Sequence, residues 1–237
     1  MGKRMAILAA TGNAHKMREF RQIFTEVLTR HADWEIDIFA EKELAMKAGA
    51  AYESPEETGT KFRENALIKA RGIEAFLQAH PEGLPKGYDQ MVIIADDSGI
   101  CVDALNGMPG VYSARYAQKP GETGNSDDGE NLQKLLKEME TIPDGQRGGA
   151  FVCSICAILI PGNGGMGAPL FAEGKIEGTI TRSPFGEGGF GYDPIFFVER
   201  FGKTTAELTA EEKNAISHRG QALREAAEQV YGILATM

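Results

Sequence analysis

The sequence contains no apolar run of the roughly 18 residues that a membrane-spanning helix requires. Its first residues, MGKRMAILAATGN, pass from a short apolar segment into a polar loop. That pattern lacks the extended apolar core of a signal peptide. We therefore expect neither a membrane anchor nor a secretory leader.

Positive charge is also scarce. The 237 residues include 25 Lys and Arg against 34 Asp and Glu, which gives a formal net charge of -9. Broad binding to DNA or RNA depends on dense Lys and Arg, so a nucleic acid polymer is not an expected partner. A small, locally bound nucleotide remains compatible, and acidic balance suits a site that recruits a divalent cation.

Only three cysteines occur, namely Cys101, Cys153 and Cys156. An odd number without secretory context favours a reducing cytoplasm. Cys153 and Cys156 have the spacing of a redox pair or half a zinc site, but they lie within the apolar run AFVCSICAILI. Because no second ligand pair accompanies them, we expect buried structural residues.

Hydrophobic periodicity predicts strands and helices that alternate in the first half, with hairpins in the second half. This pattern indicates an α/β fold with a mixed sheet, formed by a single domain over residues 1–237. The predicted strands are 5–10, 34–38, 91–95, 150–160, 170–172, 178–181 and 195–198. The predicted helices are 17–28, 62–77, 131–139 and 219–234, with a short one after the capping box Thr209-x-x-Glu212.

The segment TGNAHK joins the first strand to the first helix. It places Thr11, Gly12, Asn13 and Lys16 at a helix N-terminus, where backbone N–H groups and the helix dipole favour an anion such as phosphate. The spacing is not that of a P-loop. An ordinary turn in which Asn13 caps the helix is an equal alternative.

Adjacent carboxylates, Asp96 and Asp97, follow the strand predicted at 91–95. Such a pair is costly unless a cation or hydrogen-bond donors neutralise it. Since alternate residues of a strand face opposite sides, we expect Asp97 to work in the site and its neighbour to support the loop. The alternative is a solvated acidic turn.

Glu56 and Glu57 offer further oxygen ligands for a metal. They precede a helix on which Lys61, Asn65 and Lys69 share one side. Acidic residues also favour a helix N-terminus, which is the alternative explanation.

A glycine-dense segment, GEGGFGYDP over residues 186–194, indicates backbone that approaches a flat ligand. Phe190 is predicted to stack on a purine and Asp193 to accept a hydrogen bond from its edge. A tight turn with core aromatics is the alternative. Lys213, His218 and Arg219 supply cationic and hydrogen-bonding groups that suit a purine carbonyl or a phosphate.

In order, TGNAHK, EETG with FRENALIKAR, ADDSG with GMPGVYSARYA, GGFGYDPIFF and EEKNAISHRGQAL resemble the inosine triphosphate pyrophosphatase family. These five motifs span almost the whole chain. The resemblance implies Mg²⁺-dependent hydrolysis of non-canonical purine nucleoside triphosphates (ITP, dITP, XTP) to the monophosphate and pyrophosphate. It also implies a long mixed sheet flanked by helices, two lobes with a central cleft, and a homodimer.

The same resemblance implies specific roles for the residues of these motifs. Asp97 would be the catalytic carboxylate and a Mg²⁺ ligand, with Glu56 or Glu57 completing the metal site. The triphosphate would be bound by Thr11, Gly12, Asn13 and Lys16, with help from Lys69, and Ser98 would lie near the substrate. The base would be surrounded by Phe190, Gly191, Tyr192, Asp193, Lys213, His218 and Arg219.

Two other functions use the same residues. Tandem aspartates after a strand also occur in phosphatases that form an aspartyl-phosphate. A nucleotide-binding sensor without turnover would need the same loops. The segments HPEGLPKGYDQ (80–90) and PGNGGMGAP (161–169) depart from the compact family pattern and are predicted to be surface insertions.

Overall fold

The computed structural model describes residues 3–31, 33–160 and 167–236. Its strands form one seven-stranded sheet of order β2-β1-β3-β4-β5-β6-β7. The strands are β1 (Lys3–Ala9), β2 (Trp34–Ala40), β3 (Gln90–Val102), β4 (Gly148–Ile160), β5 (Pro169–Ile180), β6 (Phe196–Val198) and β7 (Lys203–Thr204).

Helices lie between the first four strands and after the last one. Their bounds are α1 (Ala14–Thr29), α2 (Glu41–Ala48), α3 (Phe62–Ala79), α4 (Asp128–Glu138), α5 (Ala210–Ile216) and α6 (His218–Leu234). None of the described helices is both long and apolar enough to cross a membrane. The predicted helices are all present, and the capping box of α5 forms, since Thr209 and Glu212 each accept the other's backbone N–H. Helix α2 was not predicted.

The sheet is mixed, as the sequence pattern predicts. β1 pairs in parallel with both β2 and β3, whereas β5 with β6 and β6 with β7 pair antiparallel. The α/β class with a mixed sheet flanked by helices is therefore confirmed. The two-lobed arrangement around a cleft stays a prediction.

The chain divides into two compact units, of which the first comprises Met1–Asp97, Ser154–Glu173 and Gly220–Met237. In this unit α3 buries Ala66, Ala70, Ile73 and Leu77 at helical spacing. These residues pack against side chains of β1, β3 and β4 that include Leu8, Ile93, Ala95 and Ile158. Ile93 and Ala95 share one sheet face, so the next odd-numbered residue of β3, Asp97, faces α3 as well.

The second unit comprises Ser98–Cys153 and Gly174–Arg219. Its core brings together Ile100 and Val102 of β3, Leu132 and Leu135 of α4, and Ile180 of β5. The buried Arg147 guanidinium donates to the carbonyl oxygens of Met139 and Ile142, just beyond α4, and of Ile180 and Thr181. It thereby ties the end of α4 to the end of β5.

Three details of the sequence prediction need correction. β3 does not end before the aspartates but continues through Asp96, Asp97 and Ser98 to Val102. The carboxylates are therefore held by strand backbone and are buried, which excludes the solvated acidic turn. The two strand segments predicted at 170–172 and 178–181 are one strand, β5, because the polar residues between them alternate outward.

The first predicted insertion is anchored to the sheet. The Tyr88 hydroxyl donates to Asp37 at 2.8 Å, and Asp89 accepts the backbone N–H of Arg4 at 2.7 Å. The Arg4 guanidinium also lies over the Tyr88 ring. Most of the second insertion, residues 161–166, lies outside the described residues. Cys153 and Cys156 are buried, as predicted, and Cys101 is half-buried.

Candidate active site

In the turn between β1 and α1, side chains of the turn accept hydrogen bonds from backbone N–H groups nearby. Thr11 Oγ1 accepts the backbone N–H of Asn13 at 3.1 Å, and Asn13 Oδ1 accepts that of Lys16 at 3.2 Å. Asn13 thus caps α1, as the structural alternative predicts. Capping does not exclude anion binding, because a helix N-terminus presents several backbone N–H groups.

Lys16 extends from the first turn of α1 to Asp96. Its Nζ lies 3.0 Å from both carboxylate oxygens of that residue. The Asp96 side chain is 1% exposed, so this ion pair supplies the neutralisation that a buried carboxylate needs. Asp96 was expected to support a loop and was not among the predicted site residues. It lies in β3 and binds Lys16, in the first turn of α1, instead.

Asp97 lies at the centre of a second set of contacts in the same unit. Its Oδ2 accepts from Asn65 Nδ2 at 3.1 Å, and its Oδ1 lies 3.3 Å from Lys69 Nζ. Lys69 Nζ also lies 2.9 Å from Glu57 Oε1. The structure therefore brings together the predicted Asp97, Lys69 and Glu57, together with Asn65. Lys61, predicted to share the Lys69 side of α3, is the exposed N-cap residue.

For both Asp97 and Lys69, burial and the charge of the opposite-sign partner shift the pKa in opposite directions. Burial raises the pKa of the Asp97 carboxyl, Glu57 and Asp96 add to that rise, and Lys69 and the hydrogen bond from Asn65 oppose it. Burial alone would lower the pKa of Lys69, but the carboxylates of Asp97, Asp96 and Glu57 together raise it. Lys69 thus stays charged.

The two candidate metal ligands of the EETG segment differ in their surroundings. Glu56 is exposed, whereas the Glu57 side chain is 28% exposed and joins the ion pair with Lys69. Within the described residues, no group of three or more His, Cys, Asp and Glu side chains has the spacing of a metal site. Mg²⁺ commonly takes only one or two protein carboxylates and completes its shell with substrate phosphates and water.

Asn65 is a site residue that the sequence pattern did not single out as functional. It is fully buried, and its Oδ1 accepts the backbone N–H of Gly59 at 2.8 Å. A signal was present in the spacing, because Asn65 and Lys69 are four residues apart on a helix and therefore neighbours.

In the second unit, Asp193 organises the glycine-dense loop. Its buried carboxylate accepts from the Phe190 N–H at 2.8 Å, from the Thr205 hydroxyl at 2.8 Å and from Lys213 Nζ. A Cβ added at Gly189 would lie 2.2 Å from this carboxylate, at a φ of +78°. The loop itself thus requires glycine, so the glycines are not by themselves evidence of a ligand.

The two aromatic residues of this loop have different surroundings. Tyr192 is buried and its hydroxyl donates to the Ser113 carbonyl at 2.8 Å, so only its backbone is placed to meet a ligand. Phe190 is 60% exposed, and Lys213 Nζ lies 5.0 Å from its ring centroid. The Gly191 N–H donates to Asp128 at 3.1 Å. Phe190 and Lys213 therefore form an exposed aromatic and cationic pair.

The start of α6 contributes Arg219 and His218, which have different contacts in the second unit. Arg219 is buried, and its Nη2 lies 3.2 Å from Ser98 Oγ. His218 is the first residue of α6 and stacks on Phe151, with ring centroids 5.1 Å apart and an interplanar angle of 11°. The motif SHRG thus places two side chains at the start of α6, one toward Ser98 and one against Phe151.

Comparison with known proteins covers nearly the whole chain. The chain is 46% identical to a dITP/XTP pyrophosphatase of Shigella flexneri over 218 residues, which are 92% of this chain and 94% of that one. It is 41% identical to a dITP/XTP pyrophosphatase of Clostridium perfringens over 227 residues, 96% and 98% of the two chains. A solved HAM1 protein from Coxiella burnetii superposes with a TM-score of 0.73 at 39% identity, covering 96% of this chain and 99% of that one.

The family assignment agrees with these relatives. The sequence model of the Ham1 family matches residues 7–229. This range includes all of the motifs that carry the resemblance to inosine triphosphate pyrophosphatases. The chain therefore belongs to the Ham1 family.

Proposed function

We propose that this protein hydrolyses non-canonical purine nucleoside triphosphates, such as dITP, XTP and ITP, to the monophosphate and pyrophosphate. The observation that carries the proposal is the buried Asp97, held between Asn65 and Lys69 and close to Glu57. The names of the relatives, dITP/XTP pyrophosphatase, support the same reaction. Such hydrolysis removes these nucleotides from the pool of polymerase substrates.

The triphosphate binds at the lysines of the first unit. Lys16 and Lys69 carry positive charge on the first turn of α1 and on α3, and the turn Thr11-Gly12-Asn13, in which Asn13 N–H is bonded to Thr11 Oγ1, adds the dipole of the α1 N-terminus. Both lysines pair with carboxylates in the structure. Incoming phosphates compete for these ammonium groups and share them with the carboxylates.

The charges of this site fit a divalent cation. Asp97 and Glu57 both contact the ammonium group of Lys69, and Asp96 contacts that of Lys16. These carboxylates supply hard oxygen ligands of the kind that Mg²⁺ prefers. Asp97 and Glu57 would hold the ion, which when bound offsets phosphate charge as a Lewis acid.

Asp97 acts on the attacking water. Its carboxylate orients a water molecule and accepts one of its protons as the oxygen bonds to the α-phosphorus. The bond between the α-phosphorus and the bridging oxygen breaks, and that oxygen leaves with pyrophosphate. Lys16 and Lys69 stabilise the negative charge that develops on the phosphate oxygens.

Recognition of the base uses the glycine-dense loop and the start of α6. The exposed Phe190 ring stacks on the purine, while Lys213, His218 and Arg219 read the 6-oxo group that separates hypoxanthine and xanthine from adenine; guanine, which also has this group, is rejected by other contacts. Asp193, whose carboxylate is occupied by Phe190 N–H, Thr205 and Lys213, contributes by holding Lys213 and the loop. Ser98 lies near the substrate through its contact with Arg219.

Product analysis tests the reaction. Purified protein with Mg²⁺ is expected to release pyrophosphate from dITP and XTP, and far less from dATP and dGTP. Pyrophosphate and orthophosphate are quantified separately, because the bond that breaks decides between them. Release of orthophosphate would instead support an aspartyl-phosphate phosphatase, and tight dITP binding without product would support a sensor.

The Mg²⁺ dependence of the activity tests which of the two glutamates of the EETG segment binds the metal. We expect Glu57→Gln to raise the Mg²⁺ concentration that gives half-maximal activity, because a carboxylate next to Asp97 is lost. Glu56→Gln is the matched control, since this neighbour is exposed, and it should leave that concentration unchanged. An equal effect of both substitutions would show that the segment acts through general charge and not as a ligand.

Two further properties are proposed. We propose from the family resemblance that the protein is a homodimer, and from its odd number of cysteines without secretory context that it acts in the cytoplasm. Light scattering after size-exclusion chromatography tests the first property, and a mass of about one chain, 25.6 kDa, would contradict it. Cell fractionation tests the second.

A further inference from the structure

Asn65 connects two parts of the candidate site through one rigid group. It lies in the first turn of α3 and is fully buried. Its carboxamide makes one hydrogen bond to the EETG segment and one to Asp97. A buried amide with both ends bonded has one orientation, because the reverse would place donor against donor and acceptor against acceptor.

The contact with the EETG segment sets that orientation. Gly59 N–H donates to Asn65 Oδ1 at 2.8 Å, so Oδ1 is the end that faces the segment. A Cβ at Gly59 would lie 2.6 Å from this oxygen, which means that the segment's backbone approaches Asn65 too closely for any other residue. The Nδ2 group is thereby directed at Asp97 Oδ2, 3.1 Å away.

The other oxygen of Asp97 is held from the next turn of the same helix. Lys69 Nζ lies 3.3 Å from Asp97 Oδ1 and 2.9 Å from Glu57 Oε1. Asn65 and Lys69 thus fix both carboxylate oxygens of Asp97 and both ends of the segment between Glu57 and Gly59. A lysine side chain has several rotatable bonds, whereas the amide plane has a single permitted setting.

We propose that Asn65 is a positioning residue, which sets the orientation of the Asp97 carboxylate and couples it to the segment that carries Glu57. Asn65 does not touch substrate in this proposal. The inference rests on the proposed function, since the positioned group is its catalytic carboxylate.

Asn65→Asp isolates the bond to Asp97. One oxygen of the new side chain still accepts Gly59 N–H, but the other faces Asp97 as an acceptor and repels it. We expect kcat for dITP to fall by roughly 100-fold, the usual cost of a misplaced catalytic group. KM should change far less than kcat, because the phosphate-binding lysines are retained.

Asn65→Leu removes both bonds without adding charge. It is expected to lose kcat to a similar extent and also to speed hydrogen exchange at the Gly59 amide, which Asn65→Asp should leave protected. Asn131→Asp is the matched control: Asn131 is likewise buried, accepts Ala117 N–H at 2.7 Å and donates to the Ala114 carbonyl at 3.3 Å, far along the chain from any proposed catalytic group. Its kcat should stay close to that of the unmodified protein.

The outcomes separate the two levels of the proposal. Unmodified protein that releases no pyrophosphate from dITP would refute the proposed function. Active unmodified protein with near-normal kcat in both Asn65 variants would overturn the positioning role. If Asn65→Leu fails to fold, Asn65→Asp still decides. Equal loss in Asn131→Asp would also overturn it, because the effect would then follow from any buried asparagine. Unchanged exchange at Gly59 in Asn65→Leu would overturn the coupling.

Discussion

Replacing Asp97 by asparagine is expected to remove most of the pyrophosphatase activity and to leave the fold intact. The amide keeps the shape of the carboxylate but does not accept a proton from water, so a loss of roughly 10²–10⁴-fold in kcat follows from removal of a general base. Burial already disfavours the charged form of this group, since it raises the pKa of Asp97. A neutral replacement therefore removes a desolvation cost, which offsets the loss of one hydrogen bond where the new amide nitrogen faces Asn65 Nδ2 or Lys69 Nζ.

Steady-state release of pyrophosphate from dITP measures this effect, and circular dichroism verifies the fold. Asp103→Asn is a suitable control, because Asp103 is an exposed carboxylate that follows the same strand. We expect the control to retain its turnover. Near-normal turnover in Asp97→Asn would show that another group activates the water.

Replacing Arg147 by methionine is expected to cause the largest loss of stability among the substitutions considered. Four carbonyl oxygens accept from this guanidinium, and Arg147 is 3% exposed. Methionine removes these donors from the junction of α4 and β5, where Arg182 Nη2 still donates to the Ile142 carbonyl at 3.4 Å. Because an unsatisfied buried polar group costs about 1–3 kcal/mol, we expect the free energy of unfolding to fall by roughly 3 kcal/mol.

Urea denaturation followed by circular dichroism measures this change. The single tryptophan, Trp34, lies in the first unit and does not report on the second. Arg182→Met is the matched control, because its ion pair with Asp144 is exposed and such pairs contribute about 0–1 kcal/mol. Equal losses in the two variants would show that charge, and not the buried hydrogen bonds, matters here.

Local patterns were sufficient to predict most of the fold. The helical spacing of Ala66, Ala70, Ile73 and Leu77 marks the buried side of α3, and the alternation of β2 marks a half-buried strand. The unpredicted α2 has only Leu44 buried, so its sequence carries almost no hydrophobic period. The length of β3 was underestimated because two adjacent aspartates are typical of a loop. Their ion pairs with lysines allow them to lie within a buried strand.

The candidate site was predictable in its residue types but less so in its contacts. Charged side chains of separate motifs, such as Lys16, Lys69 and Asp97, point to phosphate chemistry from the sequence alone. Which carboxylate pairs with which lysine depends on the faces of β3, and no local pattern gives that pairing. The contact of Asn65 with Gly59 depends on how closely a loop approaches a helix. Tyr192 is predicted to lie at the base, and its side chain is buried with the hydroxyl bonded to the Ser113 carbonyl, so the prediction can concern only its backbone.

The alternation of side chains along β3 also limits which insertions and deletions the protein can tolerate. Asp96 pairs with a lysine of α1 and Asp97 with a lysine of α3, from opposite faces of one strand. Inserting or deleting one residue between Gln90 and Asp96 would exchange the two faces and give each helix the wrong carboxylate. A change of one residue in the length of the strand is therefore expected to abolish activity even though every residue of the site is retained.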